Sequence, residues 1–353
     1  MQYYPQLIID ALKQVRYPGN GKNLVENDML EDDIRIEGNK ITFSLIFDKQ
    51  NDPFMKSVVK AAEQAILTFV DEAADIKGNI AVKYRKPIPV APEKPLSQVK
   101  HVVAVSSGKG GVGKSTVSAN LAVALAQKGY RVGLLDADVH GPSIPKMFAI
   151  EDARPLLNEV DGKDLIVPIE KYGVKVLSIG FFVDPDSPVI WRGGMASNAV
   201  KQLINEGDWG NLDYFLIDLP PGTSDIHLTI VQTLQLSGAV VVTTPQAVAL
   251  ADARKGINMF RNDKIDVPVW GIVENMAWFT PAELPNNRYY IFGKDGGKNL
   301  ADELGAPLLG QVPLVQSIRE GGDEGMPIAL QEGHPAADAF MQIAENIISR
   351  DTL

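Results

Sequence analysis

A nearly unbroken apolar run, His101–Ser106, ends directly on Ser107-Gly108-Lys109-Gly110-Gly111-Val112-Gly113-Lys114-Ser115-Thr116, and Val117–Lys128 then reads as a helix stopped by Gly129. Nothing else in the chain restricts its fold as tightly. The pattern G-x-x-x-x-G-K-[ST] between a strand and a helix makes a loop whose glycines let backbone N–H groups turn inward around phosphate oxygens. The helix that follows aims the positive end of its dipole at the same anion. Gly108, Gly110, Gly111, Val112, Gly113 and Thr116 belong to this cradle, Lys114 reaches the β- and γ-phosphates, and the Ser115 hydroxyl is suited to ligate magnesium. Composition alone would produce the bare pattern in about one chain in a hundred of this length. A flanking strand and helix make chance rarer still, so ATP and Mg²⁺ are the expected ligands.

The rest of the chain fits around that unit. Continuous apolar segments recur at Val132–Leu135, Val174–Ile179, Tyr214–Ile217, Ala239–Val242, Val267–Val273 and Pro307–Leu309, alternating with helical patterns. Strands covered on both faces by crossover helices read this way, which predicts an α/β class, a doubly wound and mostly parallel sheet with ligands at the carboxyl ends of its strands. The upstream region differs. Leu7, Ile8, Leu12 and Val15 mark a helix, Asp33–Glu37 and Lys40–Phe47 alternate about Gly38-Asn39 as a hairpin, Met55–Val70 is again helical, and Asn79–Tyr84 alternates. This predicts a small α+β domain over residues 1–86. Pro87–Ser97 holds four prolines in eleven residues, which suits an extended linker at 87–98, leaving 99–353 for the nucleotide domain.

Acids stand where such a sheet would bring them to the phosphate loop. Leu134-Leu135-Asp136-Ala137-Asp138 and Leu216-Ile217-Asp218-Leu219-Pro220-Pro221-Gly222-Thr223 both end strands. Asp218 fits the Walker B residue that holds magnesium, Asp138 fits a residue that orients the attacking water, and Asp136 supports the metal's shell or caps a helix. Gly222 is suited to a switch loop whose backbone N–H meets the γ-phosphate, or to a plain turn. Asn275 closes a later strand with an amide that matches the edge of adenine, or simply forms a turn.

Charge and cysteine count narrow the function. The net charge of -10 works against binding a nucleic-acid backbone. No apolar run has the length of a membrane span, and the segment Met1–Pro5 lacks the basic and apolar parts of an export signal, so the expected setting is cytoplasmic, away from membranes. The chain contains no cysteine, which removes disulfides, thiolate nucleophiles and any cluster held by its own thiolates.

With these segments assembled, the chain resembles the Mrp/ApbC family of P-loop ATPases, carriers or scaffolds for iron–sulfur clusters. The resemblance runs nearly end to end, through Gly108–Ser115, Asp136–Ser143, Trp191–Met195, Asp218–Asp225 and Glu274–Met276. Residues 1–86 look like the MIP18-like cluster-assembly domain that accompanies this family, with Asp52-Pro53-Phe54 standing near the usual cysteine. The loop resembles the deviant Walker A of the MinD/ParA class. That likeness implies a homodimer in which Lys109 crosses to the partner's nucleotide, and with Lys114 and Asp138 it completes the expected catalytic set. It further implies apoprotein clients or cluster-assembly partners. Family members that carry clusters have a C-x-x-C after the Glu-Asn-Met segment, whereas here the window reads Phe279-Thr280-Pro281-Ala282-Glu283-Leu284. This is a cysteine-free variant, and direct cluster ligation has no thiol to rest on.

Two other classes compete with this reading. A nucleotide-gated scaffold of the MinD/ParA kind would need a basic amphipathic tail for membranes, and Ala337–Arg350 instead looks like a packed helix. A P-loop kinase or ligase would need a substrate site that the sequence does not display.

Overall fold

Hydrophobic periodicity sets the first elements of the computed structural model, which describes residues 3–49, 51–85, 96–160, 162–182 and 193–350. The chain divides into two units, Met1–Pro92 and Glu93–Leu353. In the first, the order is α1 (Pro5–Leu12), β1 (Arg35–Glu37), β2 (Lys40–Phe47), α2 (Met55–Phe69) and β3 (Ile80–Tyr84). Strand β1 pairs antiparallel with β2 across a turn in which Gly38 takes φ +64°, and β2 pairs parallel with β3. Alternate residues Ile41, Phe43, Leu45 and Phe47 bury against Ile8 and Leu12 of α1 and Val58, Ala62 and Ile66 of α2. At the position neighbouring the expected cysteine, Asp52 accepts from the Tyr17 hydroxyl at 2.5 Å and the Phe54 N–H at 2.7 Å. That hydrogen bond to the carboxylate pushes the Tyr17 phenol up to about 12.

The second unit is built on β4 (Val99–Ser107), α3 (Lys114–Gln127), β5 (Val132–Asp136), α4 (Ile144–Met147), β6 (Leu157–Val160), β7 (Lys163–Ile166), β8 (Ile169–Lys171) and β9 (Val174–Ser178). It continues through α5 (Gly193–Glu206), β10 (Leu212–Asp218), α6 (Asp225–Thr233), β11 (Gly238–Thr243), α7 (Ala247–Phe260), β12 (Val269–Glu274), α8 (Gly296–Leu304), β13 (Leu308–Gln311), α9 (Gln316–Glu324) and α10 (Pro335–Ile348). Eight strands form one sheet in the order β13-β12-β11-β4-β10-β5-β9-β8. All neighbours run parallel except β8 against β9. The fold is therefore α/β, with a mostly parallel central sheet.

Side chains along each inner strand alternate between two apolar layers. Val103, Val105, Leu134, Leu216 and Val240 face the layer closed by α3 and α10, while Val102, Ala104, Leu135, Phe215 and Val241 face the layer closed by α5 to α8. Burial on both faces explains why these strands read as unbroken apolar runs. The chain order β4, β5, β10, β11 places β4 between β10 and β11, so the direction of winding reverses beside it. Ligand sites of open parallel sheets lie at such a reversal.

Some boundaries differ from expectation. Helix α3 starts at Lys114 rather than Val117, and β9 ends at Ser178 because Ile179 begins a 3-10 turn. The hairpin β6–β7 and edge strand β8 carry too few buried residues to show as apolar runs. Most of the 87–98 linker, and Trp191-Arg192, lie outside the described residues. Helix α10 buries Ala336, Phe340, Ile343 and Ile347, matching the packed helix expected for this segment. Among the described residues no helix is long and apolar enough to cross a membrane.

Candidate functional site

The loop from Ser107 to Ser115 turns at the carboxyl end of β4 and is shaped by two close approaches. A β-carbon at Gly108 would collide with the backbone of Asp252 and Ala253 in α7, and one at Gly113 would collide with the Asn275 amide. Gly111 and Gly113 adopt φ +82° and +83°, backbone that side chains disfavour. Thus α7 and the end of β12 hold the loop in place. Asn275 is buried and its Nδ2 donates to the Val112 carbonyl at 2.8 Å. The donor that an adenine edge would use is committed to the loop in this conformation. Thr116, in the first turn of α3, receives a hydrogen bond at its carbonyl from Asn120.

Lys114 and Asp218 form the centre of the site. The Lys114 ammonium lies 2.7 Å from Asp218 Oδ2, with both side chains buried. Ser115 Oγ donates to the same oxygen at 2.6 Å, and Ser118 Oγ donates to Oδ1 at 2.6 Å. Removing one partner of a buried, hydrogen-bonded ion pair strands the other charge and costs about 3–5 kcal/mol. Asp136 lies beside it, since β10 and β5 are in register at Asp218 and Asp136. The Asp136 carboxylate accepts from the N–H groups of Asp138 and Ile144, each at 3.2 Å, and from Ser178 Oγ at 3.0 Å. It therefore organises the turn after β5 and the start of α4. Complete burial, reinforced by the Asp218 charge and opposed by Lys114, pushes the Asp136 carboxyl up to about 7.

Asp138 is half-buried, and its Oδ1 accepts from the His140 N–H at 3.3 Å. With Pro221, Ser224 and Asp225 it borders a cavity of about 420 Å³ next to the turn that follows β10. In that turn Gly222 has φ +80°, and its N–H donates to the Ser107 carbonyl at 2.9 Å. The N–H expected to meet a γ-phosphate is bound to the protein in this conformation. Lys109 is partly exposed on the loop, and its carbonyl accepts from Ser107 Oγ at 3.0 Å. The fold thus gathers Gly108–Thr116, Asp136, Asp138, Asp218, Gly222 and Asn275 around the carboxyl ends of β4, β5, β10 and β12.

This phosphate-loop geometry agrees with what similar proteins are. Residues 98–348 match the family described as NUBPL iron-transfer P-loop NTPase, and residues 5–76 match the family described as iron–sulfur cluster assembly protein. The chain belongs to the NUBPL iron-transfer P-loop NTPase family. An iron–sulfur cluster carrier protein of Synechocystis is 42% identical over 97% of this chain and 96% of its own length. The iron–sulfur cluster transfer protein NUBPL of mouse is 46% identical over 73% of this chain and 80% of its own. Among solved structures, a nucleotide-binding protein of Archaeoglobus fulgidus, in complex with ADP, superposes with a TM-score of 0.59 at 36% identity, covering 70% of this chain and 94% of that one. The MinD of Pyrococcus horikoshii, at 23% identity and TM-score 0.52 over 71% and 97% of the two chains, shares the fold.

In this NUBPL-family NTPase the segment after β12 forms a closed loop. Phe279 and Tyr289 exchange backbone hydrogen bonds at 2.8 Å, pinching residues 280–288 into a loop, and the Arg288 guanidinium stacks 4.2 Å over Trp278. Leu284, Tyr289, Tyr290 and Ile291 are exposed there. Thr280 and Glu283 occupy the window where the resemblance leads one to expect two thiols. Among the described residues no group of three His, Cys, Asp or Glu side chains is arranged to hold a metal ion.

Two members of the site escaped the sequence reading. Ser118 was detectable in principle, as a hydroxyl one turn beyond Lys114 in a helix that is otherwise apolar from Val117 to Leu125 except for Asn120. Glu274 was not. Its buried carboxylate reaches across to the Gly297 and Lys298 N–H groups at the start of α8 and to Gln311 Nε2, fixing the exit of the 277–295 segment.

Proposed function

We propose that this chain is a cytoplasmic, homodimeric, Mg²⁺-dependent ATPase whose turnover serves the assembly of iron–sulfur clusters or their transfer to apoproteins. The observation that carries the nucleotide half is the buried cluster of Lys114, Ser115 and Ser118 on Asp218 at the end of the phosphate loop. Ser115 and Asp218 are hard oxygen donors of the kind Mg²⁺ prefers, with Asp136 behind them, and the ion held there would neutralise charge on the phosphates. ATP enters as substrate. Lys114 exchanges Asp218 for β- and γ-phosphate oxygens, and the start of α3 faces the same anion. Asp138 accepts a hydrogen bond from the attacking water and orients it in line with the γ-phosphorus. The new P–O bond forms as the bond to the β–γ bridging oxygen breaks, giving ADP and inorganic phosphate. Lys109 of a second copy adds charge that grows in value as the transition state forms.

The cluster half is supported by the family, by the second match over residues 5–76 and by the names of the relatives. An iron–sulfur cluster is cargo here. With no cysteine in the chain, its thiolate ligands come from the donor and the client. The test follows ATP turnover with water as acceptor, and in parallel the activation of an iron–sulfur apoenzyme from a preloaded cluster donor. Activation should be faster with wild type than with Lys114→Ala. Equal rates would refute the transfer role, and absence of phosphate release would refute the ATPase.

A further inference from the structure

His227 sits in the first turn of α6, only a few residues beyond Gly222, and is 1% exposed. The Ser224 N–H donates to its Nδ1 at 3.1 Å. A backbone N–H is a donor and nothing else, so Nδ1 is the bare nitrogen and the ring proton of the neutral imidazole is on Nε2. That Nε2–H is sealed from solvent and has no hydrogen-bond partner among the described residues. Burial, with the Lys114 charge second, holds the imidazole down at about 4, so the ring stays neutral under ordinary conditions. A buried donor left without its hydrogen bond is costly, which selects against leaving it unless another state uses the donor.

The surroundings indicate which state that is. Lys114 must meet the phosphates, yet in this conformation it is buried on Asp218, and the Gly222 N–H is held by the Ser107 carbonyl. Both groups expected to grip a terminal phosphate are satisfied internally. The His227 ring stands in the helix that the turn after Asp218 leads into, and the Lys114 charge acts on it. The turn from Pro220 to Ser224 joins Asp218 to α6, and Gly222 supplies its flexible point.

We propose that His227 is a binding residue for the nucleotide's terminal phosphate, its Nε2–H donating to a γ-phosphate oxygen once Lys114 and Gly222 leave their internal partners. The ring is then the element of α6 that distinguishes a triphosphate from a diphosphate. This rests on the nucleotide-binding reading above.

The test compares His227→Gln with His227→Leu in the full chain. Glutamine can accept from Ser224 N–H and donate at the same time, as the ring does, whereas leucine can do neither. Affinities for ADP and for the non-hydrolysable analogue AMP-PNP are measured by calorimetry, alongside thermal unfolding. Leucine should weaken AMP-PNP on the order of tenfold and leave ADP within about twofold, with glutamine near wild type for both. In case the leucine variant fails to fold, ¹⁵N-histidine spectra of the wild type, assigned through His227→Gln, give an independent reading. The Nε2–H resonance should move with AMP-PNP and stay in place with ADP. Equal loss for both nucleotides, unchanged affinity in the folded leucine variant, or identical shifts with both ligands would overturn the proposal. Failure of wild type to bind either nucleotide would overturn the nucleotide reading as well, and so is distinguishable.

Discussion

The segment that follows β4 and the segment that follows β12 both leave the sheet at a carboxyl end, in the same family framework, and they have been kept to opposite degrees. At Gly108–Thr116 Lys114 and Ser115 meet one buried carboxylate, joined there by the unforeseen hydroxyl of Ser118. At 277–295 a pinched loop is anchored by Glu274, with Thr280 and Glu283 in the window where thiols are expected and Leu284, Tyr289, Tyr290 and Ile291 exposed around it. The two segments touch through Asn275, whose amide donates to the Val112 carbonyl of the phosphate loop. Among the described residues the partners of Asp218 are Lys114, Ser115 and Ser118, none of them from the 280–288 loop.

Several experiments break or sharpen that contrast. Lys114→Ala should lower the turnover number for ATP at least about a hundredfold, read as phosphate release, since it removes charge stabilisation from the phosphoryl group. Turnover close to wild type would place the chemistry elsewhere. The reverse manipulation is Thr280→Cys with Glu283→Cys, which restores the C-x-x-C spacing. After anaerobic reconstitution with iron and sulfide, wild type should hold no cluster, while the double variant should gain visible charge-transfer absorption and on the order of one iron or more per chain. Binding of stoichiometric iron by wild type would end the claim that the second end has lost its cargo ligands.

Smaller effects concern how each end is held. Glu274→Gln keeps one acceptor oxygen but puts an amide N–H₂ against at least one of the three donors, and should cost about 1–3 kcal/mol in urea unfolding at unchanged m-value. No loss would mean that Glu274 does not anchor the segment. Asp136 gives the nucleotide end a pH signature. Its folded carboxyl keeps a proton to about pH 7, whereas an unfolded one loses it near 4. The group therefore favours the folded state at low pH, and that contribution is lost as pH rises through about 7. Wild type should lose about 2–3 kcal/mol relative to Asp136→Asn between pH 5 and pH 8, measured by unfolding at each pH. A constant gap would contradict the buried, proton-binding carboxyl. Arg288→Ala removes the stack on Trp278 and should cost only about 0.5–1 kcal/mol; a larger loss would show that the exposed loop supports the core.

What could be read from the sequence follows from where information is local. The phosphate loop, Asp136, Asp138 and Asp218 are contiguous with apolar strands, so residue order alone places them at strand ends. Helix α10 was legible for the same reason, through its periodic buried face. Sequence order does not give hydrogen-bond direction. Asn275 and Gly222 were placed correctly at chain turns, yet their donors point at Val112 and Ser107 rather than outward to a ligand in this conformation. Nor does it give partners remote along the chain, such as Ser118 on Asp218 or Glu274 on Gly297. The antiparallel edge strand β8 and hairpin β6–β7 were missed because exposed strands carry no continuous apolar signal.

The helix that carries Lys114, Ser115 and Ser118 owes its cover to segments synthesised long after it. Asn120 of α3 accepts from the Ala329 N–H, Lys128 pairs with Glu345, and the apolar face of α3 is closed by α10. On the ribosome, the phosphate loop and its strand emerge early, but their helix remains uncovered until α10 follows. The nucleotide site is therefore completed by the C-terminal third of the domain as well as by its own loop.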